Sequence, residues 1–290
     1  MKILQKDTVQ AITQTLGLHY FYFGGKEMET LKELSQYYEN YDENSRLDSR
    51  HGMVEYLTTI RYIEKYLCPG MRILEVGAGT GRYSHKFAQQ GYQVDAVELL
   101  EHNIDKFREN TLPGENVRII QGNAKDLSSF NDDTYDITLL LGPMYHLFTE
   151  EDKLQALSEA IRVTKKGGVI FVAYCGNDAT ILQFCFLRGM LNDEHYKSLI
   201  DPITFKAHSD PAELFELHRK EEVDALRSHF NVTPLHYVAT DGYAHYMRAA
   251  LSEMDEQLYA QYLRYHFATC ERTDMVGYSN HTLDIFRKDE

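Results

Sequence analysis

One ten-residue stretch holds the residues whose types and spacing point most clearly to chemistry. It reads ILEVGAGTGR from Ile73 to Arg82, so an apolar run delivers Glu75 and is followed by glycines at 77, 79 and 81. Glycine lets the backbone turn sharply and lets a ligand approach without a Cβ in the way. A helix that starts there offers unpaired N–H groups and a positive potential. The stretch predicts a ligand cradle between a strand and a helix.

A second carboxylate stands farther along the chain at a matching position. Glu98 follows Gly77 by 21 residues and lies in the apolar segment YQVDAVEL. In doubly wound α/β folds, a carboxylate at the end of the second strand hydrogen-bonds the hydroxyls of a ribose. The spacing therefore predicts a ligand that contains a nucleoside.

The carboxylate of Glu75 helps to decide which ligand such a turn binds. A nicotinamide or flavin cofactor requires G-x-G-x-x-G around its pyrophosphate, whereas this chain has G-x-G-x-G with Glu75 two residues before the first glycine. A carboxylate there favours a cationic ligand over a diphosphate. S-adenosylmethionine carries an ammonium and a sulfonium and no phosphate, so it fits better. A nicotinamide dehydrogenase stays open as the weaker interpretation, and a chance glycine turn is the plain structural alternative.

The surrounding segments predict the elements that position this stretch. Buried, β-rich runs alternate with amphipathic helices, which is typical of a parallel sheet covered on both faces. The predicted strands are MRILEV, YQVDAVEL, VRIIQGN, YDITLLLG and VIFVAY, and the predicted helices span 52–67, 83–90, 102–110 and 153–163. After Tyr174 the rhythm changes, and helical or irregular caps are expected at about 176–218 and 243–272. A helix at 220–230, a strand at 232–239 and a last strand, HTLDIFRK, complete the pattern.

This organisation predicts two parts of unequal size. Residues 1–45 are rich in tyrosine and phenylalanine and are interpreted as an N-terminal helical extension or lid. Residues 46–290 are interpreted as one ligand-binding domain that carries the two cap insertions.

Composition narrows the classes of partner. The formal net charge is −14 and the basic residues form no run, which argues against nucleic acid. The four cysteines are far apart and form no CxxC pair, so neither a disulfide framework nor a metal site is expected. The N-terminus has no signal-peptide pattern, and no stretch reaches the roughly 18 apolar residues of a membrane span. We expect a cytoplasmic protein without a membrane partner, and its oligomeric state stays open.

Five segments, in order, resemble the successive motifs of class I S-adenosylmethionine-dependent methyltransferases of the small-molecule type, with a UbiE-like core. They are EVGAGTGR, VDAVEL, QGNAKDL, YDITLLLGPMYHL and RVTKKGGVIFVAY, and the likeness covers about residues 50–175. The resemblance implies a doubly wound, Rossmann-like sheet of seven mostly parallel strands, of which the last is antiparallel. It implies S-adenosylmethionine as the cofactor and methyl transfer as the activity.

The resemblance also implies which residues bind the cofactor. Gly77, Ala78, Gly79 and Arg82 would lie against the methionine moiety, Glu75 near its ammonium, and Glu98 on the ribose hydroxyls. Leu99 and Asn123–Ala124 would lie at the adenine, and Leu141 and Gly142 at the end of the fourth strand, beside the methyl group. The amide carbonyl of Asn123 can accept a hydrogen bond from the exocyclic amine.

The segment after the fourth strand supplies the candidate catalytic residues, Tyr145 and His146. Methyltransferases of nucleic-acid amino groups carry Asn/Asp-Pro-Pro-Tyr/Phe there, but this chain has Gly142 first, so that activity is not implied. A histidine, with an unperturbed pKa of about 6.5, suits proton removal from an acceptor hydroxyl or ammonium. The structural alternatives are a hydrogen-bonding histidine at a strand end and a packed aromatic ring.

The acceptor is expected to contact residues added to the common core. The candidates are Tyr38, Tyr41, Arg50 and His51, with tyrosines that line an aromatic cage or stack on a flat acceptor. An aromatic lid favours a small-molecule acceptor, in which the methylated atom is O, N or C. The alternative function is a regulator, or a degenerate member, that binds S-adenosylmethionine without turnover.

Overall fold

Apolar runs of the sequence form the strands of one central sheet in a computed structural model of the chain. The structure describes residues 34–38, 47–209 and 215–290. The strands are β1 Arg72–Val76, β2 Gln93–Glu98, β3 Val117–Gln121, β4 Tyr135–Leu140, β5 Thr164–Gly176, β6 Leu217–His218, β7 Val232–Ala239 and β8 His281–Lys288.

The order of these strands is β3-β2-β1-β4-β5-β8-β7, with the two-residue β6 paired to the end of β5. Neighbours among β1 to β5 run parallel, and β8 runs antiparallel to both β5 and β7. The structure therefore confirms the predicted doubly wound, mostly parallel sheet with an antiparallel last strand. The short β6 brings the strands in the sheet to eight rather than the predicted seven.

The helices cover both faces of this sheet or form the caps. Their bounds are α1 Arg50–Glu64, α2 Arg82–Gln89, α3 Glu101–Asn110, α4 Glu150–Val163, α5 Asn177–Thr180, α6 Glu194–Ser198, α7 Lys220–Arg227, α8 Arg248–Glu253 and α9 Glu256–Thr269. In the 176–218 segment, α5 runs into a π-helical stretch, Ile181–Phe186, and residues 210–214 lie outside the described ranges. The 243–272 segment holds α8 and α9.

Two apolar layers enclose the sheet because alternate residues of a strand point to opposite faces. In β1, Ile73 packs on one side and Leu74 on the other, and Phe171 and Val172 divide in the same way in β5. All four side chains are fully buried, and each stabilises the fold by about 1.5–3 kcal/mol relative to exposure. The glycine turn that follows β1 is thus carried by a rigid core.

The start of β5 differs from the sequence prediction. The predicted strand VIFVAY begins at Val169, but β5 already begins at Thr164, and its register on β4 shifts between Tyr135 and Ile137. A Cβ on Gly168 would lie 2.9 Å from the carbonyl oxygen of Asp136, and Gly167 has φ +76°. A side chain at position 168 would therefore clash with the backbone of β4, and the backbone at position 167 favours glycine.

Little of the predicted N-terminal extension falls within the described residues. Residues 34–38 are helical, and Leu34 and Tyr37 are buried in a small cluster with Leu100. Tyr41, a predicted acceptor residue, lies outside the described ranges. None of the helices in the described ranges is long and apolar enough to cross a bilayer.

Candidate functional site

The glycine turn after β1 meets the short 3₁₀ turn Pro143–His146 that follows β4. Gly77 and Gly79 have φ of +76° and +54°, a backbone conformation that favours glycine. A Cβ on Gly77 would lie 2.6 Å from Cδ of Pro143, whereas a Cβ on Gly79 would meet nothing within 4 Å. Gly77 therefore lets the two turns touch, and Gly79 keeps the backbone open to a ligand.

A cavity of about 550 Å³ opens beside these turns, a volume within the range of small-molecule sites. The structure brings every predicted cofactor residue to its wall: Glu75, Gly77, Ala78, Gly79, Arg82, Glu98, Leu99, Asn123, Ala124, Leu141 and Gly142. Contact of each residue with a cofactor remains a prediction.

Glu98 is held rigidly at the end of β2. Its Oε1 accepts hydrogen bonds from the Leu100 N–H at 3.0 Å and from Nδ2 of Asn103 at 3.2 Å. Its Oε2 accepts one from the Gly79 N–H at 2.8 Å. Since each carboxylate oxygen has about two acceptor sites, Oε2 can still accept a ligand hydroxyl. The carboxylate thus fixes the glycine turn and fits a ribose.

Glu75 is buried to 2% exposure at the end of β1. Its Oε2 accepts hydrogen bonds from the backbone N–H of Ser84, at 2.9 Å, and from the Ser84 hydroxyl. Burial raises the pKa of Glu75 to about 8, although the Ser84 hydrogen bonds oppose the shift, and the charge of Glu98 adds to it. A cationic group beside Glu75 would favour its charged form.

The basic groups on the cavity wall are already paired. Among the described residues that line the cavity, one is an arginine, Arg82, and one is a lysine, Lys125. Arg82 contacts Asp48 at 2.7 Å, and Lys125 contacts Asp152 at 2.7 Å. The wall therefore offers carboxylates rather than a phosphate-binding cluster. This charge distribution and the remaining acceptor site of Glu98 fit a cationic nucleoside such as S-adenosylmethionine.

The predicted catalytic residues and one predicted acceptor residue meet on the same wall. Tyr38, Tyr145 and His146 all line the cavity, and the Tyr38 hydroxyl lies 3.1 Å from Nε2 of His146. The Tyr145 hydroxyl donates to the carbonyl oxygen of Leu141 at 2.5 Å. Tyr145 therefore presents its ring to the cavity, while His146 offers the titratable group.

Arg50 and His51 lie outside this wall, so their position does not support the expected contact with the acceptor. The Arg50 guanidinium donates to the carbonyl oxygen of Met254 at 2.6 Å and pairs with Glu256. The His51 ring packs edge-on to His245, with 5.3 Å between centroids. Both side chains contact residues of the segment that follows β7. The sequence around Arg50 and His51 does not predict these contacts.

Several polar residues of the wall carry no signal in the sequence. Glu55 and Thr59 come from α1, Thr240 follows β7, and His281 begins β8. Glu55 falls in a helix recognised from its apolar residues alone, and His281 opens a strand recognised only as an edge of the alternating pattern. Their proximity depends on the strand order, which places β8 beside β5.

Comparisons with known proteins point to one class. Residues 73–168 match the family described as "Methyltransferase domain". The chain is similar to the ubiquinone/menaquinone biosynthesis C-methyltransferase UbiE of Vibrio parahaemolyticus, at 38% identity over 36% of this chain and 41% of that protein. It is also 26% identical to the glycine/sarcosine N-methyltransferase of Aphanothece halophytica, over 35% of this chain and 39% of that protein. The chain thus spans about two fifths of the length of these curated relatives.

Solved structures share the fold at low identity. A S-adenosylmethionine-dependent methyltransferase of Methanosarcina mazei has a TM-score of 0.52 at 18% identity, with 79% of this chain and 97% of that chain covered. The CcbJ methyltransferase of Streptomyces caelestis has a TM-score of 0.54 at 15% identity, with 92% and 100% covered.

Residues 73–168 thus match a methyltransferase domain, and the described sheet has the fold of S-adenosylmethionine-dependent methyltransferases.

Proposed function

We propose that this chain transfers the methyl group of S-adenosylmethionine to an oxygen, nitrogen or carbon atom of a small molecule. The observation that supports it most strongly is the cradle formed by Gly77 and Gly79 between two buried carboxylates, Glu75 and Glu98, at the wall of a cavity of about 550 Å³. When bound, S-adenosylmethionine supplies a methyl group that its sulfonium already activates.

In this proposal the residues of the chain bind the cofactor and orient it towards the acceptor. Glu98 holds the ribose hydroxyls through Oε2, and Glu75 faces the ammonium. Leu99, Asn123 and Ala124 form the adenine wall. Much of the rate in such a displacement comes from holding donor and acceptor in line in a site that excludes water.

His146 is the proposed base for acceptors that must lose a proton, with Tyr38 orienting its imidazole. Tyr145 forms the wall beside it. The rings of Tyr38, Tyr145 and His146 suit an acceptor that is flat or cationic. The net charge of −14 and the paired basic groups support a small molecule rather than nucleic acid as the acceptor.

Calorimetry with S-adenosylmethionine, S-adenosylhomocysteine and NAD⁺ tests the cofactor. We expect the first two to bind and NAD⁺ not to bind. Glu98→Gln should weaken both by about 1–3 kcal/mol, because a charged acceptor is lost. Glu194→Gln is the matched control, since that side chain is 88% exposed, and it should leave both affinities unchanged.

A 2′-deoxy analogue of S-adenosylhomocysteine separates direct contact from damage to the turn. The analogue, which lacks the 2′-hydroxyl, should bind the wild type more weakly than S-adenosylhomocysteine does. In Glu98→Gln this difference in affinity should be smaller. Equal losses would contradict the assignment of Glu98 to the ribose, and a folded wild type that binds neither cofactor form would overturn the proposal.

Turnover is measured as S-adenosylhomocysteine formed with a panel of phenols, amines and activated carbon acids. Release with one acceptor class, lowered about 100-fold or more by His146→Asn for a hydroxyl acceptor, would support the enzyme and the base. Tight cofactor binding without turnover on any acceptor would favour a regulator instead.

A further inference from the structure

Two carboxylates and two imidazoles converge beside the cavity, away from the glycine turn. Glu55 comes from α1, Asp241 and His245 from the segment after β7, and His281 from the start of β8. One donor atom of each lies within 4.8 Å of the others. We call these residues the His/carboxylate cluster.

The distances within the cluster resemble those between ligands of one ion. Oδ2 of Asp241 lies 2.9 Å from Nδ1 of His281 and 3.1 Å from Nε2 of His245. Oε2 of Glu55 lies 3.3 Å from Nδ1 of His281. Nitrogen and oxygen ligands at about 2.0–2.2 Å from a metal stand about 3.0–3.4 Å from one another.

One nitrogen of the cluster is buried without a well-aligned hydrogen bond. Nε2 of His245 lies 3.1 Å from Oδ2 of Asp241, but no described residue forms a well-directed hydrogen bond with it, and the His245 side chain is 6% exposed. Unpaired buried polar atoms are rare in native proteins, and a bound ion or water is a common reason for one. The hydrogen bonds within the cluster therefore leave this nitrogen incompletely satisfied.

The carboxylate of Asp241 is held from behind. Its Oδ1 accepts from the Ser279 hydroxyl at 2.5 Å and from the backbone N–H of His281 at 3.3 Å. Asp241 itself is fully buried. Supporting hydrogen bonds of this kind orient carboxylate ligands in metal sites, and here they leave Oδ2 to the cluster.

Arg248 makes His245 a weaker candidate ligand than the other three residues. Its Nη2 lies 2.5 Å from Nδ1 of His245, and a guanidinium only donates, so Nδ1 accepts and Nε2 carries the proton. Coordination through Nε2 would move that proton to Nδ1, so Arg248 would have to swing away. Glu55, Asp241 and His281 would then be the primary ligands of an ion, and His245 would be the fourth and weaker one.

We propose that the His/carboxylate cluster binds one divalent transition-metal ion of the Mn²⁺, Fe²⁺ or Zn²⁺ type. Imidazole and carboxylate together suit these ions, whereas Mg²⁺ prefers oxygen ligands alone. Cysteine spacing predicted no metal site, but no cysteine is needed here. His281 donates from Nδ1 to Asp241 in this structure, so the ion would displace that proton.

The ion would face the cavity, because Glu55 and His281 also line it. A bound divalent ion lowers the pKa of a coordinated hydroxyl, which points to an acceptor with an oxygen beside the methylated position. This consequence rests on the proposed function, whereas binding of the ion does not.

Chelator-treated, full-length protein is titrated with Co²⁺, followed by its visible absorption, and with Mn²⁺ and Zn²⁺ by calorimetry. We expect one ion per chain, proton release and weaker binding of Mg²⁺. Asp241→Asn and His281→Ala should each lower affinity about 100-fold or more, and His245→Phe about 10-fold. His236→Gln is the control, since His236 pairs with Glu271 in a separate pair.

Arg248→Met keeps the test informative if a ligand variant fails to fold, because it leaves all four ligands in place. Removal of the competing donor should tighten binding several-fold. Folded wild type without one bound ion per chain, or binding that survives both Asp241→Asn and His281→Ala, would overturn the site. Failure to bind S-adenosylmethionine would instead overturn the proposed function and leave the ion site standing.

Discussion

Glu75 is a buried carboxyl whose ionisation makes the stability of the protein depend on pH. At 2% exposure, burial raises its pKa to about 8, from 4.5 in the ordinary state. Between these two pH values the unfolded chain has released the proton while the folded protein keeps it. Because the unfolded state then binds fewer protons, the contribution of this group to the free energy of unfolding falls as pH rises.

Glu75→Gln should remove that dependence. The amide carbonyl can still accept from Ser84, so the variant should gain stability relative to wild type by about 1.4 kcal/mol per pH unit between roughly pH 5 and pH 8. Urea unfolding at several pH values measures the difference. Glu194→Gln, at an exposed position, should run parallel to wild type, and a Glu75→Gln curve that also runs parallel would contradict the assignment.

At the scale of elements, the contact between the β1 turn and the turn after β4 shapes the cradle. Gly77→Ala would place a Cβ 2.6 Å from Pro143, at φ +76°. We expect a loss of about 3 kcal/mol or more, because strain of about 1–3 kcal/mol adds to displacement of Pro143, and weaker binding of S-adenosylhomocysteine.

Gly91→Ala is the matched control for Gly77→Ala. Gly91 has φ +90° but nothing within 4 Å of its added Cβ, so only the backbone strain should remain. Chemical denaturation and calorimetry on both variants measure the difference. Equal losses of stability, with cofactor affinity unchanged in both, would show that the contact between the two turns is unimportant.

The strands and the cradle were predictable because their signals are local. The stretch from Ile73 to Arg82 contains the strand end, the carboxylate and the glycines together, and Glu98 follows at the spacing of one β-α-β unit. The start of β5 was not predictable, because Lys165–Gly168 reads as a helix end until β4 lies beside it. The pairing of β5 with β4 cannot be predicted from the residues of β5 alone.

At the scale of the whole molecule, a buried ion pair ties α7 to β8. Asp284 is 1% exposed and pairs with Arg227. Arg227→Met should cost about 3–5 kcal/mol, since a buried charge loses its partner. Because burial raises the pKa of Asp284 to about 6 even beside Arg227, the loss should shrink as pH falls and the carboxyl takes up a proton.

Denaturant unfolding of two further variants checks this prediction. Arg227→Met with Asp284→Leu should recover most of the stability, because both charges are gone. Arg272→Met, which breaks an exposed pair with Asp274, should leave the free energy of unfolding almost unchanged. A double variant no more stable than Arg227→Met would contradict the ion-pair explanation.

One part of the cavity wall could not be predicted from the sequence, because it depends on the arrangement of the whole molecule. Glu55, Thr240 and His281 come from three distant parts of the chain, and each lies in a segment whose pattern reports only its helix or strand. Their meeting depends on β8 lying between β5 and β7. Arg50 and His51, which were predicted to contact the acceptor, lie outside this wall, because their side chains contact residues that follow β7.

The position of β8 also has a consequence for synthesis on the ribosome. β1 to β5 can pair as soon as they emerge, but β7 has no neighbour in the described sheet until β8 arrives. Until β8 is synthesised, the edge of β5 stays unpaired in the nascent chain. Unpaired strand edges promote aggregation. His281 and Leu283 enter the cavity wall with that last strand, so a cofactor that binds early would find a pocket still lacking one side.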